Sequence, residues 1–404
     1  MNSYDVVIAG AGLAGLTLAR LLALDPVLRS KRVLIIDRDD KNANDRTWCF
    51  WARDDENMPA VATFTWDACK FYAPGFERRL DIAPYRYHMV RASDFYQWSK
   101  QQIATNPNHT WLKAGILNID APNGTVSTDA GIFTAGVVFN SALVKSPLIP
   151  ENPFFEQPFS NARHSVQQGS DNHILLLQHF KGWLVETEKP VFDPTCVTFM
   201  DFRMDQNGAT RFVYVLPFSA TRALVEYTIF SPHLLQEKEY EEALKNYFTH
   251  FLNVEKYTVE ETEFGIIPMT DAAFPAVSDG RVINIGTAGG FVKGSSGYAF
   301  KRTQRKLQLL VDDWAKNGVP NPALLASAPH FRFFDSVLLK VLQQKGDLGG
   351  EVFKRMFRAL PATTVFRFLD EDSTLPENLR IMATAPTGVF TLAAIKQFGR
   401  LVGF

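Results

Sequence analysis

Near the start of the chain, Gly10-Ala11-Gly12-Leu13-Ala14-Gly15 sets three glycines at the spacing G-x-G-x-x-G. At that spacing the first glycine permits a tight turn, the second lets backbone come up against a pyrophosphate, and the third lets a helix pack closely on a strand. The free N–H groups of the helix start then face the phosphates. Asp37 lies where a carboxylate accepts bonds from the adenosine ribose hydroxyls. The pattern serves NAD and FAD alike and leaves the choice between them open. A second glycine segment, Gly286-Thr287-Ala288-Gly289-Gly290, comes late in the chain. Glu226 interrupts the apolar run Ala223-Leu224-Val225-Glu226-Tyr227-Thr228-Ile229. Buried there, its ionised form is disfavoured and it is held as a neutral proton donor; strict strand alternation places it equally well on a solvent face. Asp201 and Arg203 share a strand face at i and i+2, which reads first as a structural ion pair and second as a further acid or base at Asp201. The eight histidines show no ligand spacing, and Cys49, Cys69 and Cys196 never fall as C-x-x-C, so neither a metal site nor a disulfide framework is expected.

These side chains need elements to hold them. Residues 4–9 form an apolar β-branched run, residues 13–24 carry Leu and Ala at helical spacing, and residues 33–36 are apolar throughout, so a βαβ unit closes by residue 37. Strand-like runs at 174–179, 196–202, 212–216 and 223–229 are separated by turn residues and predict a largely antiparallel sheet. A helix is expected over 235–251 and a further strand over 281–285. Helical periodicity then dominates from about residue 298, broken at Pro320, Pro329, Pro361, Pro376 and Pro386. The fold class that follows is α/β: a discontinuous Rossmann-like dinucleotide-binding domain (1–150 and 260–310), an inserted mostly antiparallel β-sheet substrate domain (151–259) and a helical C-terminal segment (311–404).

The 404 residues carry 42 Lys and Arg against 43 Asp and Glu, with 46% hydrophobic and 21% charged residues, an ordinary globular composition that excludes disordered and collagen-like classes. The even balance gives no reason to expect a nucleic-acid partner. Aromatic residues reach 13% and cluster at Phe154-Phe155, 331–334 and 366–368; they fill a core or line a site for a large apolar ligand. No run approaches the roughly 18 apolar residues of a membrane span, and a reducing cytoplasm suits the cysteines. Two Asn-x-Thr matches, at Asn108 and Asn123, are then chance. Residues 301–404 hold 15 Lys and Arg against 9 Asp and Glu. Within them, Val352, Phe353, Met356, Phe357 and Leu360 share one helical face opposite Lys354, Arg355 and Arg358, the pattern both of a lipid-interface helix and of an ordinary surface helix.

Several strings match one family in order: Asp45-Arg46-Thr47-Trp48-Cys49-Phe50-Trp51, Met200-Asp201-Phe202-Arg203, Phe212-Val213-Tyr214-Val215-Leu216-Pro217, Leu224-Val225-Glu226-Tyr227-Thr228, and Gly289-Gly290 through Ser296-Gly297-Tyr298. Over residues 4–300 the chain resembles lycopene β-cyclases of the bacterial flavoprotein type. The resemblance implies reduced FAD as cofactor, NAD(P)H as its electron source, and lycopene as substrate. Each linear end of the polyene is protonated, closes to a ring through a carbocation and loses a proton, with no net redox change. It also implies Glu226 as the acid. The wider flavoprotein class brings its late glycine segment to the flavin ribityl and pyrophosphate, often through a Gly-Asp pair. Here Thr287 stands in place of the acid, leaving that contact to the backbone of Gly286, Gly289 and Gly290 and to the Thr287 hydroxyl. By the same likeness Arg46 approaches the cofactor, with a surface ion pair as its competing role. Arg91, just before a helix cap at Ser93, faces the FAD phosphates. A substrate drawn from lipid implies peripheral membrane contact through the C-terminal helices. The rival activity is an FAD-dependent monooxygenase acting on an apolar substrate; a non-catalytic flavin or carotenoid carrier is the rival outside enzymes.

Overall fold

The computed structural model describes residues 2–142, 173–278 and 280–402. The first two strands, β1 (Asn2–Ala9) and β2 (Val33–Asp37), run parallel and flank α1 (Leu13–Leu24), as the glycine motif requires. They sit inside an eight-stranded sheet. β8 (His109–Lys113) pairs parallel with β2, and β11 (Gly131–Asn140) pairs parallel with β1. β18 (Val282–Asn284) then adds parallel to β11, so the late segment returns beside the N-terminal strand. The hairpin of β9 (Ile116–Asp120) and β10 (Thr125–Thr128) and the short β17 (Val277–Ser278) complete it. β2 is buried at every residue because helices α1 and α4 (Phe300–Asn317) cover one face and the hairpin the other.

The second sheet has seven strands in the order β16 (Tyr257–Thr270), β12 (Leu175–Thr187), β15 (Arg222–Ser231), β14 (Thr210–Pro217), β13 (Cys196–Asp201), β5 (Ala68–Ala73) and β6 (Phe76–Asp81). Four lie where alternation predicts: β12 (Leu175–Thr187), β13 (Cys196–Asp201), β14 (Thr210–Pro217) and β15 (Arg222–Ser231). β12 runs eight residues past its expected end, because it lies between β15 and β16 (Tyr257–Thr270). Two expectations need correction. β16 belongs wholly to this sheet, so a domain boundary at 260 would cut a strand. β5 (Ala68–Ala73) and β6 (Phe76–Asp81), from the N-terminal portion, extend the same sheet, with β5 pairing parallel to β13.

Helix α3 (Glu237–His250) covers one face of this sheet, burying Tyr240, Leu244, Tyr247 and Phe248 against Val225, Tyr227 and Ile229. The other face meets a three-stranded sheet, β3 (Thr47–Arg53), β7 (Tyr85–Arg91) and β4 (Phe64–Trp66), together with the C-terminal helices. Those helices are α5 (Pro329–Gln344), α6 (Gly349–Ala359), α7 (Ala362–Leu369), α8 (Leu375–Thr384) and α9 (Thr387–Val402). The ambiguous segment at 351–360 resolves here: Val352, Phe353, Met356 and Phe357 of α6 are buried against Phe71, Phe199 and Phe202, so its apolar face is core and not lipid-facing. The Phe154-Phe155 cluster lies outside the described residues.

Candidate active site

The glycine cradle forms as its spacing demands. Gly10 has φ +99°, and a Cβ on Gly15 would fall 1.9 Å from the Gly10 carbonyl oxygen, so α1 packs onto the turn at a distance only glycine allows. A Cβ on Gly12 would meet nothing within 4 Å, and α1 begins there without a side-chain cap. The protein therefore has no packing use for that bare backbone; it is open for a phosphate to approach. Asp37 is buried, and its carboxylate accepts the Ala11 N–H at 2.7 Å and the Asp39 N–H at 2.9 Å, with the Lys41 ammonium 3.5 Å away. It thereby fixes the turn between β1 and α1. The second glycine segment comes to the same spot: Gly286, at φ +61°, sits so that a Cβ would lie 3.0 Å from the Ala14 methyl of α1. Gly286–Gly289 then form one tight turn that continues into Gly290, with Thr287 half-exposed. Cradle and turn together fit a dinucleotide with its pyrophosphate at the start of α1.

Arg46 and Arg91 are placed differently from each other. Arg46 is half-exposed and pairs with Asp45 at 3.4 Å; Asp45 in turn accepts the Tyr96 hydroxyl at 2.9 Å. Arg91 ends β7 and is itself the residue preceding α2 (Ala92–Ile103), which corrects the expected cap at Ser93. Its guanidinium donates to Glu261 at 2.7 Å in a cleft between the three-stranded and seven-stranded sheets.

That cleft is lined by Thr47, Phe64, Met89, Arg91, Phe218 and Glu263, and Glu226 lies next to Glu263 across one strand position. Strand alternation sends Leu224, Glu226 and Thr228 toward the three-stranded sheet, while Val225, Tyr227 and Ile229 face α3. Strand β12, which lies between β15 and β16, pairs Gly182 with Glu226 on one side and with Glu263 on the other. Directly paired residues point to the same face, and with no side chain between them the two carboxyls approach each other across Gly182, close enough for each to act on the other's charge. Thr228 donates to Glu226 at 2.8 Å and Thr47 donates to Glu263 at 2.8 Å. Burial pushes Glu226 well above the usual carboxylate range, and the neighbouring charge of Glu263 adds to it. Burial raises Glu263 as well, offset by its bonds and by Arg91. Two carboxylates this close share a proton, and burial strengthens the hold of both on it.

Aromatic side chains surround the acid. Tyr214 lies directly opposite Glu226 on β14, its hydroxyl 3.4 Å from that of Tyr298. Tyr298 stands edge-on to Trp51 with ring centres 4.8 Å apart, and Phe199 is edge-on to Tyr214 at 6.1 Å. Phe64 and Phe218 stack at 4.2 Å at the cleft wall. The array supplies π faces to a cation.

Asp201 is not brought to Glu226. It is fully buried on the α3 side of the sheet, where it accepts the Arg203 backbone N–H at 3.0 Å, the Arg203 guanidinium at 2.9 and 2.5 Å, and the Tyr247 hydroxyl at 2.9 Å. The expected ion pair with Arg203 forms, and both Asp201 oxygens are occupied by it and by Tyr247. The carboxylate that joins Glu226 instead is Glu263, which sequence reading missed. Its one signal is an acid entering the run Phe264-Gly265-Ile266-Ile267-Pro268-Met269.

Comparison with known proteins decides the family. The lycopene cyclase protein family model matches residues 5–394. The chain belongs to the lycopene cyclase family. It is 23% identical to the lycopene β-cyclase of Pseudescherichia vulneris, covering 98% of each chain. Among solved structures it is similar to a geranylgeranyl bacteriochlorophyll reductase-like protein of Thermoplasma acidophilum (TM-score 0.55, 15% identity, 97% and 98% of the two chains). It is also similar to a probable FAD-dependent monooxygenase of Pseudomonas aeruginosa (TM-score 0.52, 14% identity, 92% and 100%). These likenesses establish a shared Rossmann-like α/β fold, which family membership alone does not describe.

Proposed function

We propose that this chain is a lycopene β-cyclase, an isomerase that closes the linear ends of lycopene into β-rings, giving γ-carotene and β-carotene. The observation that carries the reading is Glu226: a carboxyl on the sheet face turned to the cleft side, whose hold on its proton burial strengthens, walled by Tyr214, Tyr298 and Phe199. Protonating an unactivated double bond needs a neutral acid, and the resulting cation needs a dry wall of π faces rather than water. The half-exposed edge of the acid pair faces the cleft, so a polyene end enters along Phe64 and Phe218 and meets the proton of Glu226.

FAD fits the cradle of Gly10, Gly12 and Gly15 with Asp37, completed by Gly286, Thr287, Gly289 and Gly290. Bound there and reduced, with NAD(P)H as the electron source, it supplies negative charge that favours a developing cation. We assign Arg46 to the cofactor edge. Arg91, which lies against Glu261 and the acid pair, we assign to the cleft. Asp201 serves to hold Arg203 and Tyr247 in place, not as a catalytic acid.

For a substrate that resides in lipid, the surface we assign to membrane contact is the outward face of α9. There Leu392, Ile395 and Phe398 are 64%, 64% and 59% exposed beside the exposed Lys396. Among the described residues no helix is long and apolar enough to cross a membrane, so contact would be peripheral.

Pigment extraction from lycopene-accumulating cells that express the chain tests the reading. Ring-bearing products support it. Unchanged lycopene, with NAD(P)H oxidation that consumes oxygen in step with an apolar substrate, would instead support the monooxygenase that the shared fold also accommodates.

A further inference from the structure

We propose that Glu263 is the proton acceptor that completes each ring closure, so that Glu226 and Glu263 recycle one proton across Gly182. The proposal rests on the cyclase reading above. Glu263 Oε2 is held by the Thr47 hydroxyl, whereas no N–H or hydroxyl reaches its buried Oε1 among the described residues. Oε1 is the oxygen beside the Gly182 backbone: a Cβ built there would lie 3.1 Å from it and 2.9 Å from Cγ of Glu263. On that side, across Gly182 in the strand register, stands the carboxyl of Glu226.

The chemistry balances without an oxidant or reductant. The Glu226 O–H bond breaks and a C–H bond forms at the terminal double bond, leaving a carbocation. A neighbouring double bond of the same chain attacks it and forms the ring C–C bond, moving the charge onto the ring. A ring C–H bond then breaks, its electrons restore a double bond, and its proton passes to Glu263. Transfer from Glu263 to Glu226 restores the starting pair. In the interval both carboxyls are anionic beside the cation, an arrangement that stabilises it more in a desolvated site than in water. Arg91 and Glu261 face Glu263 from β7 and β16, while Cys49 of β3 and Tyr214 of β14 face Glu226. The arginine lies on the side of the acceptor and away from the donor, which keeps the proton on Glu226 at rest.

The test is Glu263→Gln in the FAD-loaded enzyme, assayed on lycopene in vesicles across a pH series. Turnover should fall at least about 100-fold, as expected for loss of a general base, with little change in KM. In the residual activity the alkaline limb should move to lower pH, because Glu226 no longer sits beside a second carboxylate. Gly182→Ala, which keeps both acids but pushes Glu263 aside, should move the limb the same way. A separate readout needs no turnover: the infrared band of the protonated carboxyl should persist at neutral pH in the unmutated protein, vanish in Glu226→Gln and titrate at lower pH in Glu263→Gln. Full activity in Glu263→Gln, or reduced activity with an unmoved limb and an unmoved infrared titration, overturns the proton-recycling role. If the unmutated protein forms no rings at all, the cyclase reading fails, and with it the role of Glu263 in ring closure.

Discussion

At Glu226 two effects act in one direction. Desolvation and a neighbouring carboxylate both favour the neutral acid, and the Thr228 hydroxyl opposes them. Because the active form is protonated, activity should be present on the acid side and lost as pH rises through the elevated pKa of the pair. Glu226→Gln keeps size and polarity without a transferable proton. Its turnover should fall by about 100-fold or more while flavin stays bound, as flavin absorbance of the purified variant would report. The same substitution carries an opposite expectation for stability. A folded state that holds the proton more tightly than the unfolded chain loses stability as pH rises above the ordinary carboxylate value. Thermal melts above neutral pH should therefore find Glu226→Gln more stable than the unmutated chain. A variant less stable there would mean that the carboxyl is not strained by its surroundings.

At the scale of elements, the glycine turn separates packing from binding. A Cβ at Gly15 collides with the Gly10 carbonyl, so Gly15→Ala must push α1 from β1 and should lower stability by roughly 1–3 kcal/mol. Gly12→Val meets no protein atom within 4 Å of its Cβ and should melt near the unmutated chain, yet purify without flavin because its side chain occupies the phosphate approach. Flavin at full occupancy in Gly12→Val would remove that turn from the cofactor site. The C-terminal helices divide in a similar way. α6 turns its apolar residues into the core, whereas α9 leaves Leu392, Ile395 and Phe398 uncovered. Ile395→Glu combined with Phe398→Glu should abolish co-flotation with anionic vesicles and leave the melting temperature unchanged; undiminished flotation would place lipid contact elsewhere.

Across the whole molecule, buried charges bind the C-terminal helices to the rest. Lys301 of α4 reaches Glu56 at 2.9 Å, Asp370 at 2.8 Å and the Trp51 carbonyl at 2.9 Å, while Lys293 pairs with Asp335 at 2.6 Å. Lys301→Met takes from buried Asp370 its ion-pair partner, while Glu56 keeps Arg305 at 2.8 Å, and should cost about 3 kcal/mol in a urea melt; a loss under about 1 kcal/mol would show that the network relaxes. Much of this molecule follows from local sequence. The βαβ start, the glycine cradle with Asp37, the strand cores 175–179, 196–201, 212–216 and 223–229, and Glu226 on its apolar strand are set by periodicity and by residue types whose effects act within a few positions, whereas the continuation of β12 to Thr187 comes from pairing with both its neighbours. The assembly of the acid site is not local. Glu226 and Glu263 lie on strands that do not touch each other, and they meet only because β12 takes both in register with Gly182 between them. Asp201, two strands away and nearer in sequence, is carried to the opposite face by the pleat and by Tyr247 of α3. Side-chain direction alternates with every residue, so register alone decides which carboxyls face one another, and register is a property of the folded sheet.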